Sequence, residues 1–344
     1  MVTEQNKSNI KLLDCTLRDG GYVNNFHFGK ENINKIVNDL STTNIDMIEL
    51  GFLKNGNHDS DQTLFNFVSE AEVYTINAGV NQQFCMMIRP DWYDISKLEK
   101  CKGNIKFLRF AFHYNDLDLL LHQAEIARCH GYEIFFNPVN VLGYSVKELK
   151  DLLSTLNKFK PKGIYIVDTF GSLFPSDLRD IFSIFDNELD KGVALGLHLH
   201  ENLSMGLALA INFIEMIKDT RTAYIDCSIL GMGRVPGNLC TELIMGYMES
   251  IQKYYDLTGV YKSIDDPISR IKMNIPWGYI PGYAITAFNK THRSYAEYLL
   301  EKSNLSLQDI NTILIKIESK SDREEFDELL IEKLYNEFLT KVKQ

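Results

Sequence analysis

Leu12-Leu13-Asp14-Cys15-Thr16-Leu17-Arg18-Asp19-Gly20-Gly21-Tyr22 is the stretch on which the fold turns. An apolar run, residues 10–13, stops at a charged turn that ends in glycine. This is the pattern of a buried strand running into a loop that carries chemistry. A carboxylate at such a strand end can hold a metal ion, and a guanidinium beside it can hold an oxyanion. The Arg18-Asp19 pair taken alone also fits a salt-bridging surface turn.

A second stretch, Leu195-Gly196-Leu197-His198-Leu199-His200-Glu201-Asn202, narrows the reading. Residues i and i+2 of a strand share a face, so His198 and His200 point the same way at a strand end. A lone buried histidine is more often a satisfied core residue. Two at this spacing, followed by a polar turn, favour a metal site. Two imidazoles and one carboxylate form a facial set that leaves positions open for water or substrate.

Composition bounds the rest. The chain has 344 residues, 45% hydrophobic and 24% charged, which is ordinary for a globular protein and long enough for one large barrel plus an appendage. A formal net charge of −10 argues against nucleic acid as the main partner. No apolar run approaches the ~18 residues of a membrane helix, and residues 1–8 are polar, with no export signal. The six cysteines show no CxxC spacing and read as reduced thiols, so a cytoplasmic location is expected.

Taken in order, the chain alternates. Strand-like apolar runs fall at 10–15, 47–53, 84–88, 107–112, 132–136, 163–167, 194–198 and 223–229. Amphipathic segments fall at 30–40, 61–73, 95–101, 117–130, 146–159, 176–189, 203–217 and 239–255. Eight strand–helix units over ~250 residues predict an α/β chain folded as a (β/α)8 TIM barrel. A doubly wound open sheet is the competitor. It needs no eight units, and no GxGxxG follows the first strand.

Catalytic groups of such barrels sit at the C-terminal ends of the strands. The polar residues there are Arg18 and Asp19, Glu49, Arg89, His113, Asn137, Asp168, His198 and His200, then the loop 231–238. Charges ending otherwise apolar strands are costly unless paired or liganding, so their recurrence fits one shared site. Arg89 and Asn137 are taken as substrate-binding candidates.

The ordered motifs Asp14-Cys15-Thr16-Leu17-Arg18-Asp19-Gly20, Ile48-Glu49-Leu50-Gly51, Val167-Asp168-Thr169, His198-Leu199-His200-Glu201-Asn202 and Gly231-Met232-Gly233-Arg234-Val235-Pro236-Gly237-Asn238 are specific. Together they resemble the superfamily of metal-dependent barrel aldolases, lyases and acyl-condensing synthases. That superfamily includes hydroxymethylglutaryl-CoA lyase, carboxyltransferase-like domains acting on pyruvate, and 4-hydroxy-2-oxovalerate aldolase, and the resemblance is strongest to the last. It implies that Asp19, His198 and His200 hold a divalent ion, Mn²⁺ or Mg²⁺, with Asn238 beside it. It also implies that Arg18 steadies an enolate oxygen, and that Glu49 and Asp168 line the same pocket.

A different segment follows the barrel, so the chain is divided at 1–262 and 263–344. The second part holds Pro276-Trp277-Gly278-Tyr279-Ile280-Pro281-Gly282-Tyr283 and helical patterns at 289–302, 306–317 and 322–342. Its position resembles the C-terminal helical domain of 4-hydroxy-2-oxovalerate aldolase, which covers the pocket and helps contact a partner aldehyde dehydrogenase. The Trp-Gly-Tyr stretch fits packing equally well. Leu329, Leu330, Leu334 and Phe338 form an apolar stripe for the barrel or for a second subunit, and a homodimer is expected.

One departure matters. The aldolase has a histidine as general acid/base where this chain has Tyr22. A phenol, with an unperturbed pKa near ~10, is a poor base at neutral pH. A nearby divalent cation and Arg18 are expected to lower it. His27, His113 and His292 are alternative proton carriers, His292 first among them. The leading reading is an aldolase, a carbon–carbon lyase joining or splitting a 2-oxo acid and an aldehyde. The alternatives are a Claisen-type acyl-CoA enzyme or hydroxymethylglutaryl-CoA-lyase-like enzyme, and a barrel kept as a non-catalytic binding subunit.

Overall fold

The computed structural model describes residues 9–79, 82–217, 220–251 and 254–342; the polar start at 1–8 lies outside them. Eight strands, β1 (Ile10–Asp14), β2 (Met47–Leu53), β3 (Gln83–Ile88), β4 (Ile105–Phe112), β5 (Glu133–Pro138), β6 (Gly163–Asp168), β7 (Ala194–Leu199) and β8 (Ala223–Cys227), form the sheet's body. Each pairs parallel with its neighbour in sequence. β1 pairs with both β2 and β8, which closes the sheet. The fold is therefore the predicted (β/α)8 TIM barrel, with further helices C-terminal to it, and the open-sheet alternative is excluded. Parallel strands covered on both faces read as unbroken apolar runs, and all seven residues of β2 are buried.

The barrel interior holds two kinds of layer. Leu13, Met47, Cys85, Phe107, Phe135, Tyr165 and Tyr224 pack into an aromatic-rich plug toward the strand starts. The Phe135 and Tyr224 rings meet edge-on with centroids 5.0 Å apart. One step of two residues further along the same strands, the buried side chains become Glu49, Arg109, Asn137, His198 and Asp226.

Most predicted helices match closely, including Val146–Phe159, whose Ser145 cap accepts from the Glu148 amide. Three differ. The segment predicted helical over 61–73 instead adds Leu64–Phe65 as a short strand beside β2, and only Val68–Glu72 is α-helical. Gly51, at φ +149°, permits this: a Cβ there would lie 2.1 Å from the Thr63 carbonyl oxygen. Residues 95–101 supply a single 3₁₀ turn, Ile95–Lys97, capped by Asp94. The last predicted helix is broken into Lys320–Glu324 and Glu328–Val342. The Tyr295 hydroxyl fills the break, 2.6 Å from the Asp322 carbonyl and accepting from the Asp327 amide at 3.1 Å.

Helix Thr258–Ser263 is followed, across a kink where Asp266 is extended at φ −157° and ψ 127°, by helix Ser269–Asn274. Trp277 then packs on the barrel core and donates its indole N–H to the Leu230 carbonyl at 2.9 Å. A separate apolar cluster, with Tyr295, Leu299, Ile310, Ile313, Leu314 and Ile331, unites the C-terminal helices. Leu334 joins that cluster, whereas Leu329 is 78% exposed.

Candidate active site

A ladder of buried charges crosses the barrel mouth. Asp14, at the end of β1, accepts from the Thr16 amide at 2.9 Å and the Thr241 hydroxyl at 2.7 Å, which pins the turn that carries Arg18 and Asp19. Burial pushes the Asp14 carboxyl up to about 6 against those hydrogen bonds. Arg18 pairs through Nη1 with Asp19 and donates through Nε to Glu49 Oε2 at 2.7 Å. The same Glu49 oxygen accepts from Arg109 Nη1 at 2.9 Å, and Arg109 Nη2 pairs with Asp226 at 2.5 Å. Asp226 Oδ2 in turn accepts from His198 Nδ1 at 2.9 Å. Burial disfavours the charged form of Arg109, yet Asp226 and Glu49 more than offset it and hold its pKa well above the usual value. Asp19, likewise buried, is held well below the carboxylate range by the Arg18 guanidinium beside it.

The other end of the ladder defines the imidazoles. His198 Nδ1 is tied to Asp226, and His200 Nδ1 donates to the Asp168 backbone carbonyl at 2.8 Å. Both rings therefore present Nε2 as the free nitrogen, held in place by the partner on Nδ1, which suits metal ligation. Burial, set against the pull of Asp226, keeps the His198 pKa below its ordinary value and its ring neutral. Ligand atoms of Asp19, His198 and His200 all lie within 4.8 Å of one another. Two neutral imidazole nitrogens and one ionised carboxylate are a donor set that fits a divalent ion with open positions.

Asn238 closes this corner. Its amide donates to Asp19 Oδ2 at 2.9 Å, and its Oδ1 is buried without a partner. Gly233 keeps the loop against it, since a Cβ there would lie 2.3 Å from the Asn238 amide nitrogen.

Above these groups lies a cavity of about 460 Å³, lined by Arg18, Asp19, Tyr22, Asn137, His198 and His200 among others. Lys320, Glu324, Glu325 and Phe326 of the C-terminal part form its roof. Asn140 at the barrel mouth donates to Glu324 Oε1 at 3.1 Å. Asn137 offers a buried, unpartnered Oδ1. Arg89 also lines the cavity, but its guanidinium is held by both oxygens of Asp91 at 3.0 and 2.8 Å.

Two other expected site residues stand behind the cavity wall. Glu49 is fully buried beneath Arg18 and Arg109. Asp168 spends its carboxylate on the Ser172 and Leu173 amides at 2.8 and 3.3 Å, while its carbonyl orients His200. Burial pushes the Asp168 carboxyl up to about 6.

The protein's own groups do not lower the Tyr22 pKa. Tyr22 sits among Phe26, Phe52 and Trp92, and burial raises its phenol above the ordinary value despite Arg234 and Arg18 nearby. His292 reaches the cavity from the C-terminal part, its ring against Phe170 and Phe326. Its Nδ1 accepts from the Ser294 amide at 3.2 Å, so the ring proton sits on Nε2. Burial, with Arg234 and Arg293 nearby, lowers its pKa to about 3.

Sequence reasoning missed Arg109, Asp226 and Arg234. The first two are charges inside apolar strands, costly unless paired, and that rule would have found them. Arg234 was quoted within its motif and given no role.

The ladder thus ends in two aligned imidazoles and a carboxylate at the C-terminal mouth of a parallel barrel, and the comparisons with known proteins make the chain a carbon–carbon lyase. The chain belongs to the HMGL-like family, whose model matches residues 9–265. It is 24% identical over 313 residues to 4-hydroxy-2-oxovalerate aldolase of Bacillus thuringiensis, covering 88% of this chain and 89% of that one. It is 26% identical over 247 residues to oxaloacetate decarboxylase of Mycobacterium tuberculosis, covering 69% of each. Its fold matches hydroxymethylglutaryl-CoA lyase of Pseudomonas aeruginosa with a TM-score of 0.61 at 15% identity, over 86% of this chain and 98% of that one.

Proposed function

We propose that the chain is a divalent-metal-dependent aldolase that forms or cleaves the bond between a pyruvate-like 2-oxo acid and an aldehyde. One observation carries the reading: His198 and His200 each have Nδ1 tied off and Nε2 beside Asp19, next to the Arg18 guanidinium. Asp19, His198 and His200, with Asn238 alongside, would hold Mn²⁺ or Mg²⁺. When bound, such an ion supplies Lewis acidity toward the 2-oxo group, which makes enolisation accessible near neutral pH.

The chain's own residues supply the rest. Arg18 has Nε and Nη1 committed to Glu49 and Asp19, so its orientation is set before substrate arrives. Its remaining face lies toward the cavity, where charge develops on the enolate oxygen, and a preorganised donor acts most strongly there. Asn137 Oδ1 offers an acceptor to the substrate. Tyr22, with a raised pKa, and His292, neutral with its proton on Nε2, both enter as hydrogen-bond or proton donors to the aldehyde oxygen. Neither is a base at neutral pH, so the methyl proton lost on enolisation passes to solvent water.

The proposal extends to the chain's organisation. A barrel of residues 1–262 carries the chemistry and a C-terminal helical domain, 263–344, covers it. Two chains associate as a homodimer; of the apolar stripe, Leu330, Leu334 and Phe338 pack within the chain's own C-terminal cluster and Leu329 is left exposed. A partner aldehyde dehydrogenase consumes the aldehyde, and the setting is cytoplasmic. No helix among the described residues is long and apolar enough to cross a membrane.

The test is NMR of deuterium exchange into the pyruvate methyl group, with and without Mn²⁺. Ion-dependent exchange is expected, and it needs no knowledge of the aldehyde. Ion binding without exchange overturns the reading.

A further inference from the structure

Four cationic side chains line the cavity: Arg18, Arg89, Arg234 and Lys320. Three of them are neutralised. Arg18 is held by Glu49 and Asp19, and Arg89 by Asp91. Lys320 lies 3.7 Å from Glu148 and 3.9 Å from Glu324. Arg234 has no carboxylate partner among the described residues. Its one charge contact is with the Tyr22 ring, whose centroid lies 5.3 Å from the guanidinium carbon. Its Nε is buried and makes no hydrogen bond.

The surroundings deepen the imbalance. Arg293 lies close by, with its own Nε buried and unpartnered, and burial together with the Arg234 charge pulls its pKa down to about 10. Arg293 does have a carboxylate, Glu297, at 2.9 Å. Arg234 is thus the cation in this corner with no carboxylate at ion-pair distance among the described residues. A guanidinium held in a partly dry pocket without a counter-charge gains most from an anion that presents two oxygens to it.

Its position says which end of a substrate it would meet. The Arg234 amide donates to Asp19 Oδ2 at 3.3 Å, so the residue springs from the edge of the ion-binding corner. Its side chain then leads away over Tyr22, toward His292 and the roof. Arg18, on the other side, addresses the 2-oxo end.

We propose that the aldehyde partner carries an anionic tail, a carboxylate or a phosphate, and that Arg234 is the residue that binds it. This rests on the aldolase reading and specifies its acceptor. Arg234 selects substrates and takes no part in bond making. A neutral short-chain aldehyde would leave the guanidinium unpaired in the closed pocket, and one with an anionic tail would neutralise it.

The experiment compares three aldehydes with Mn²⁺-loaded enzyme and pyruvate: propanal, succinic semialdehyde and glyceraldehyde 3-phosphate. The readout is the ratio of kcat/KM for each charged aldehyde over propanal. Wild type should favour one charged aldehyde by about 10–100-fold, the range of a charge-assisted hydrogen bond, and which one distinguishes carboxylate from phosphate. In Arg234→Gln the ratio should fall toward one, and Arg234→Lys should recover part of it. A second arm needs no turnover: calorimetry should show 2-oxoglutarate binding about tenfold more tightly than 2-oxobutanoate, and Arg234→Gln should erase that gap. A wild-type ratio near one, or a ratio unchanged in Arg234→Gln, overturns the proposal. If pyruvate exchange itself is absent, the aldolase reading falls, while the calorimetric arm still decides the role of Arg234.

Discussion

Phe107, Phe135 and Tyr224 fill the lower half of the barrel, and Arg109, Asn137 and Asp226, each two residues further along the same strands, fill the upper half. The backbone does not distinguish the two levels, because strand pairing continues through both. What differs is where the free energy comes from. The lower layer is stabilised by removing aromatic surface from water and by edge-on ring contacts. The upper layer pays a desolvation cost for every charge, offset only because each has a partner at hydrogen-bonding distance. Buried ion pairs are weak evidence of stability, so their concentration at one level of the barrel points to chemistry rather than to folding. The lower layer holds the frame on which the upper layer is aimed.

The strongest way to break this division is at the end of the ladder. His200→Ala should abolish Mn²⁺ binding, about one ion per chain in wild type, while leaving the lower layer and the unfolding transition near wild type. Titration calorimetry that returns unchanged affinity removes His200 from the site.

Arg109→Met tests whether the ladder is a unit. It leaves Glu49 and Asp226 buried without their shared cation, and should cost about 3–5 kcal/mol in urea unfolding. A loss under ~1 kcal/mol would mean that the two carboxylates find other partners.

Arg18→Ala should lower the pyruvate exchange rate by about 10²–10³-fold with Mn²⁺ affinity retained, the cost of removing one preorganised oxyanion donor. A near-normal rate would reduce Arg18 to a structural ion pair. For contrast, Phe135→Leu in the lower layer should cost about 1 kcal/mol of stability and leave the exchange rate unchanged.

The smallest expected effect concerns His292. Its folded pKa, lowered to about 3 by burial and by Arg234, lies below the ordinary 6.5. The folded state resists a proton that the unfolded chain accepts. The contribution is therefore fully present above pH 6.5 and is lost as the pH falls from there toward 3. His292→Asn should show a smaller drop in Tm between pH 7 and pH 5 than wild type. Equal drops would mean that the imidazole is free to titrate.

Legibility in the sequence follows the same two layers. All eight strands could be found because parallel strands buried on both faces leave unbroken apolar runs. Asp19, His198 and His200 could be found because charged or ligating residues ending such runs stand out. Asp226 and Arg109 could not be placed so easily. They lie within runs that remain apolar around them, and only pairing across the barrel, over 117 positions of sequence, gives them sense. The segment at 61–73 misled because its apolar spacing suits a helix, whereas the free edge of β2 captured Leu64–Phe65 as strand. The broken last helix depends on one hydroxyl, that of Tyr295, which no local pattern announces.

The ladder has a further consequence in valence. Asp19, Glu49 and Asp226 set three negative charges against the two positive ones of Arg18 and Arg109. The residue is a single negative charge sealed in a medium of low polarity. Arg234, at the edge of the same corner, balances that charge on the cavity side. The proposed divalent ion would leave the site positive, and a monoanionic 2-oxo acid would then be drawn to it rather than repelled.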